Sequence, residues 1–144
     1  MPRMFAPATS LVLAILRPAV APVIVGGLMP DLTLNPPPVA MARRVPGGGA
    51  YDPRGYDRAV IDVQSWHTDD RAADDLADAL RAALITAWRT QLVIPGMGHI
   101  ARYEETAAPA LLGDSARGSG ATTPKGIYRY QATYTLGLRV DRSA

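Results

Sequence analysis

The last long segment of the sequence constrains the fold most. Residues 128–140 read Y-R-Y-Q-A-T-Y-T-L-G-L-R-V, so that apolar and mostly polar residues alternate along the segment. A period of two is typical of a β-strand with one buried face. At about 3.3 Å per residue the segment would span roughly 43 Å, which is longer than a common strand. We therefore expect a strand that bends or extends beyond the domain's own sheet.

The residues after Thr68 predict a long amphipathic helix. Apolar residues recur at spacings of three and four, as in one buried helix face; they are Ala73, Leu76, Ala77, Leu80, Ala83, Leu84, Ala87 and Trp88. Thr68 is the predicted N-cap, and Asp69 and Asp70 follow it, where negative charge meets the positive end of the helix dipole. We expect this helix to cover a sheet.

The remaining segments define the fold class. An apolar first helix is predicted up to Arg17, with Thr9 or Ser10 as its N-cap and with Pro18 and Pro22 ending or kinking it. Strands are predicted near 23–25, 39–45, 58–66 and 99–105. Because strands follow one another late in the chain, we predict an α+β fold. Its mainly antiparallel β-sheet carries two helices on one face, in a single domain over residues 1–144.

Two segments rich in glycine are predicted to be flexible loops. Residues 46–57 and 113–126 contain too many Gly, Pro and Ser residues for a regular element. Loops of this length are usually functional or disordered, and a long strand invites pairing with a neighbour. The aromatic and basic residues of these loops and of the last strand are therefore candidate contacts with other subunits or partners; they are Tyr51, Arg54, Tyr56, Arg117, Lys125, Arg129 and Arg139.

Composition excludes several functional classes. The chain has 144 residues and no Cys, so neither disulfides nor thiolate metal sites are available. Its net charge is only +2, and the basic residues are scattered, unlike the clusters that indicate nucleic-acid binding. The apolar run Leu11–Leu16 is interrupted by Arg17 and is too short to span a bilayer, which takes about 20 residues.

The stretch S-W-H-T-D-D at 65–70 is the strongest candidate for chemistry. A triad would need Ser65, His67 and an Asp to converge, but a strand would direct Ser65 and Trp66 to opposite faces. A metal site would have to combine His67, His99 and Asp carboxylates without any close histidine spacing. We therefore interpret the stretch as a strand end, a turn and a helix start. A small hydrolase or ligand-binding module that uses His67 and the nearby Asp residues is the less favoured alternative.

Three segments together resemble a known family. They are V-A-M-A-R-R-V-P-G-G at 39–48, A-V-I-D-V-Q-S-W-H-T-D-D followed by an Ala-rich helix at 59–84, and Y-R-Y-Q-A-T-Y-T-L-G-L-R at 128–139. In this order they resemble the tail-terminator (tail-completion) proteins of long-tailed bacteriophages, over about residues 8–140. The loop at 113–126 is longer than this family pattern leads us to expect.

The resemblance implies a structural virion protein and not an enzyme. It implies a homo-oligomer, a hexameric ring at the head-proximal end of the tail, which is assembled in the host cytoplasm. Such a ring ends tube polymerisation and provides the surface for head-tail joining. The implied partners are the tail tube protein, the head-tail connector protein and genomic DNA that passes through the lumen without sequence-specific binding. No cofactor and no membrane are implied. Another neck or head-tail connector ring protein is the alternative within this class.

Overall fold

The computed structural model describes residues 4–46, 49–112 and 126–142. These residues form an α+β fold with a mainly antiparallel sheet. In chain order the elements are α1 (Ala8–Val20), β1 (Ile24–Gly26), β2 (Val39–Arg44), β3 (Ala50–Asp52), β4 (Tyr56–His67), α2 (Asp70–Arg89), β5 (Gly98–Leu111) and β6 (Tyr128–Val140). The fold class agrees with the prediction from the sequence, and so does the order of elements apart from β3, which was not predicted. The expectation that the last strand extends beyond the domain's own sheet was wrong, because β6 lies inside the sheet and pairs along its length with β4 and β5.

The sheet is built around the pairing of β4 with β6. Its strands lie in the order β1-β2-β4-β6-β5, and β3 pairs with the start of β4. The β4–β6 pairing runs from Tyr56 opposite Arg139 to His67 opposite Tyr128. Only the short β1 runs parallel to its neighbour, β2, among the described strands.

Both helices pack on the same face of the sheet. Alternate residues of β4 and β6, among them Ile61, Tyr134 and Leu136, are fully buried beneath them. Leu80 and Leu84 of α2 are also fully buried and belong to the same core. Full burial of one such side chain contributes about 1.5–3 kcal/mol, so this face supplies most of the driving force for folding. Neither helix within the described ranges is long and apolar enough to cross a membrane.

The first helix begins earlier and ends later than predicted. Pro7 occupies the N-cap position, and Pro18 lies inside the helix. The predicted cap Thr9 has another partner, because its hydroxyl accepts a hydrogen bond from the backbone N–H of Arg44 in β2. Thr9 therefore ties the helix to the sheet.

Two strands include residues that were not predicted to lie in strands. The predicted flexible loop at 46–57 contains β3, which forms a hairpin with the start of β4, so that prediction was wrong for residues 50–52 and 56–57. Pairing with a longer strand holds these residues extended despite the glycines around them. The strand β5 continues to Leu111, six residues beyond the predicted end at 105, because β6 supplies partners along that length. The second predicted loop lies outside the described residues, apart from Gly126.

The predicted cap Thr68 is also corrected by the structure. The second helix begins at Asp70, and its N-cap is Asp69, whose carboxylate accepts a hydrogen bond from the backbone N–H of Ala72 at 2.9 Å. The N–H of Thr68 donates to Nδ1 of His67 at 2.9 Å. Thr68 thus lies one residue before the cap, because Asp69 has the extended backbone of an N-cap and its carboxylate reaches a helix N–H.

We expect replacement of the cap to destabilise the fold, while replacement of its neighbour does not. Asp69→Ala leaves a helix N–H without its acceptor and should lower the free energy of unfolding by about 1 kcal/mol. Thr68→Ala is the matched control and should change it by less than about 0.5 kcal/mol. Urea denaturation of the two variants measures the difference. A larger loss in Thr68→Ala than in Asp69→Ala would contradict the assignment of the cap.

Candidate functional site

The stretch at 65–70 has structural roles instead of a catalytic arrangement. Ser65 is buried on the helix side of the sheet, whereas Trp66 is buried on the opposite side. The Nδ1 atom of His67 accepts backbone hydrogen bonds from the following residues, and Asp69 caps the helix. Within the described residues no partner reaches the Ser65 hydroxyl. His67 is therefore not arranged between a serine and an aspartate.

The second carboxylate of this stretch fastens the helix to the last strand. The hydroxyl of Tyr130 donates a hydrogen bond to Oδ1 of Asp70 at 2.7 Å. This bond is the main reason why the pKa of Tyr130 is raised to about 12. In the described residues, no group of three or more His, Asp or Glu side chains is arranged to hold a metal ion.

The face of the sheet that neither helix covers is the candidate functional surface, because charged, polar and aromatic side chains are concentrated on it. We call it the open face. Its charged, polar and aromatic side chains come from four strands and include Arg43, Tyr56, Arg58, Asp62, Gln64, Trp66, His99, Arg102, Glu104, Arg129, Gln131, Thr133, Thr135 and Arg139. One end is closed by an apolar cluster in which Leu32 and Ile127 pack against Trp66.

A polar network occupies the centre of the open face. The two oxygens of Asp62 accept hydrogen bonds from the side-chain amides of Gln64, at 2.7 Å, and Gln131, at 2.9 Å. The oxygen of the Gln64 amide in turn accepts from Nε of Arg129 at 2.7 Å. Because Gln64 is only 4% exposed, its bonds are sheltered from water and restrict the side chains that make them. The surface is therefore largely preorganised.

Two arginines of this face lie over aromatic rings. The guanidinium of Arg129 lies 5.6 Å from the ring centre of Trp66, and that of Arg139 lies 5.3 Å from the ring centre of Tyr56. Tyr56 in turn lies across Gly137, where an added Cβ would overlap the tyrosine hydroxyl. Both contacts have cation–π geometry, which restrains the arginine head groups while leaving charge at the surface.

A buried ion pair joins the end of β2 to the start of β4 on the helix side. Arg44 donates to both oxygens of Asp57, at 2.5 and 2.8 Å, and also to the hydroxyl of Tyr51 at 2.9 Å. Asp57 is fully buried, and Tyr51 packs against Phe5 with ring centres 4.3 Å apart. An open cavity of about 480 Å³ lies between this group and the start of α1. The arrangement anchors the N-terminal segment to the hairpin.

The turn of the hairpin contains a second Arg–Asp pair of a different kind. Arg54 donates to Asp52 through two nitrogens, at 3.1 and 2.9 Å. These hydrogen bonds lower the pKa of Asp52 to about 2. The Arg54 side chain is 87% exposed, so water screens the pair and it acts as a local turn contact.

The predicted contact residues lie in different parts of the chain. Tyr56, Arg129 and Arg139 meet on the open face, while Tyr51 lies on the helix side. Arg54 lies in the turn. Arg117 and Lys125 lie outside the described residues.

Sequence reasoning missed three further arginines of the open face. They are exposed and add positive charge on this face or beside it; they are Arg43 on β2, Arg58 on β4 and Arg102 on β5. The alternation of side chains along a strand could have indicated their side of the sheet. Arg43, for example, lies two residues after the buried Met41 and therefore on the same side of β2. Strand order was needed to place the three together.

The two Arg–Asp pairs, one buried and one exposed, test how burial changes the contribution of an ion pair to stability. Arg44→Met would leave the buried carboxylate of Asp57 without its partner and should lower the free energy of unfolding by about 3 kcal/mol. Arg54→Met removes an exposed pair and should lower it by less than about 1 kcal/mol. Chemical denaturation of both variants measures the difference. Equal losses would contradict the structural role given to the Arg44–Asp57 pair.

Comparison with known proteins adds no family assignment. The chain matches no protein-family model, and no curated protein is similar to it.

Proposed function

We propose that this chain is a structural subunit of a long-tailed bacteriophage, which forms a ring at the head-proximal end of the tail tube and ends tube polymerisation. The proposal begins from the resemblance to tail-terminator proteins. The three segments that carry the resemblance form β2, β4 with α2, and β6. They form the strand, strand-helix and strand order that the resemblance leads us to expect.

The observation that carries the proposal is the uncovered end of β5. Residues 106–111 read T-A-A-P-A-L, and all except the half-buried Pro109 are exposed. The segment carries no charge, although it belongs to the edge strand of the sheet. Proteins usually protect such edges with charged residues, Pro or bulges. This segment has Pro109 and register shifts, which oppose backbone pairing, but its exposed side chains are uncharged and suit contact with another protein.

The chemistry of this edge favours contact through side chains. Pro109 has no N–H with which to continue a backbone ladder. Register shifts along β5 also fall on both sides of Ala107. A neighbour would therefore bury the small apolar side chains of 106–111 and the side chain of Leu111, which is 42% exposed. This contact is suited to a repeated ring interface between subunits of the same kind.

The first test measures assembly directly. We expect native mass spectrometry and negative-stain microscopy of the purified protein to show rings, either alone or on tubes of the tail tube protein. Added protein should also halt tube growth, so that tube length falls as its concentration rises. A chain that stays monomeric at every concentration, and that leaves tube length unchanged, would refute the proposal. An activity that His67→Ala abolishes would favour the hydrolase or ligand-binding alternative.

The second test concerns the edge itself. Leu111→Asp places a charge in the proposed contact and should raise the protein concentration needed for half-maximal assembly by about tenfold or more. Leu92→Asp is the matched control, because Leu92 is 45% exposed and lies away from β5 residues 106–111. Sedimentation velocity measures both. Equal assembly by the two variants would remove the β5 edge from the ring contact.

A further inference from the structure

We propose that the open face of one copy binds the acidic N-terminal half of α2 on the next copy. This proposal rests on the ring-forming function and assigns it a second contact. Its partner is another molecule of this chain, and its basis is charge complementarity between two surfaces on opposite sides of the sheet.

The open face is basic. Among the described residues it carries five arginines against the carboxylates of Asp62 and Glu104. Asp62 is already engaged by two amides, and Asp52 at the border is paired with Arg54. The arginines are Arg43, Arg58, Arg102, Arg129 and Arg139.

The N-terminal half of α2 is acidic. Residues 69–78 read D-D-R-A-A-D-D-L-A-D, with five aspartates and one arginine. Asp74, Asp75 and Asp78 are all exposed, away from the buried Leu76 and Leu80. Asp78 also lies 4.0 Å from the guanidinium of Arg81, so Asp74 and Asp75 carry the contact. The charges therefore point away from the protein's own sheet.

The open face also has a place for an incoming carboxylate. A hollow of about 100 Å³ is lined by Tyr56, Arg58, Arg102, Glu104, Thr135 and Gly137. Arg58 and Arg102 stand on either side of it, on β4 and β5, with β6 between them. An aspartate side chain from α2 of a neighbouring copy would be small enough to enter, and there it would meet the two arginines and one carboxylate, that of Glu104.

The geometry of the contact leads to a ring. Because the two surfaces lie on opposite sides of one subunit, the contact is heterologous, and each copy uses one surface for each neighbour. Such a contact closes into a ring when the rotation between neighbours allows it. Like charges then repel when two copies meet through the same surface, which disfavours two-fold dimers.

Charge reversal tests this pairing. Arg43→Glu/Arg58→Glu gives the open face an excess of negative charge. Asp74→Arg/Asp75→Arg puts arginines in place of two exposed aspartates and leaves three arginines against three aspartates over residues 69–78. Each double variant alone should need more than about 100-fold higher concentration for half-maximal assembly, since like charges then meet across the contact. An equimolar mixture of the two variants should assemble again, with alternating subunits. A single chain with all four changes should also recover assembly.

Controls separate folding from assembly. Each variant should melt within a few degrees of the parent chain, and if a reversal fails to fold, the neutral pairs Arg43→Gln/Arg58→Gln and Asp74→Asn/Asp75→Asn replace it and should weaken assembly in the same way. Arg89→Glu changes the charge on α2 beyond its acidic half, at a residue that is also exposed. This variant should assemble like the parent chain.

The outcomes distinguish the proposed contact from the proposed function. If the parent chain forms rings and both double variants do so equally well, the contact is wrong and the ring-forming function stands. If the parent chain forms no ring, alone or on tail tubes, the function fails and this contact fails with it. Retained assembly by Arg43→Glu/Arg58→Glu, together with lost binding to a random-sequence DNA duplex, would make the open face a nucleic-acid surface and overturn the proposal.

Discussion

The structure depends above all on the pairing of β4 with β6. These two strands lie in the middle of the sheet, in continuous antiparallel register from Tyr56 opposite Arg139 to His67 opposite Tyr128. The other strands pair with one or other member of this pair, apart from β1, which attaches through β2. Because strand side chains alternate, the register decides which residues enter the core and which reach the open face.

Much of the fold could be predicted because local pattern and tertiary environment agree. The alternation at 128–140 marks β6 over its observed length, and the apolar spacing after Asp70 marks α2. Both elements bury one face and expose the other, so the spacing of apolar residues within each segment is enough to indicate the element. The same agreement supports the fold class.

The errors fall where a distant partner decides the local structure. Glycines surround the hairpin strand β3, and the end of β5 contains Pro109, so neither segment has a strong strand pattern of its own. Pairing with β4 and β6, respectively, holds them extended. The predicted position of the N-cap was wrong by one residue, because Thr68 and the adjacent Asp69 both have side chains suited to capping. Only the backbone at the strand end determines which of them takes the position.

The candidate site was predictable in part. The alternation along the last strand indicated that Arg129 and Arg139 share one side, as candidate contacts. The pairing of β4 with β6 brings Tyr56 to the same side. The contribution of Arg58 and Arg102 was not predictable, since they come together only when β4 and β5 flank β6. Charge that is scattered along the sequence can thus be concentrated on one face, and a small net charge conceals two surfaces of opposite sign.

The polar residues of the open face have a consequence for the subunit as well. A slip of β4 by one residue would carry Asp62 and Gln64 into the core and would expose Ile61 and Val63. The cost of burying a charge without its partners makes that register unfavourable, so the network helps to select the correct pairing. The exposed arginines, by contrast, contribute little to folding, because surface charges are well solvated. Their concentration on one face is therefore not a requirement of the isolated subunit, and it is the feature on which the proposed contact between copies rests.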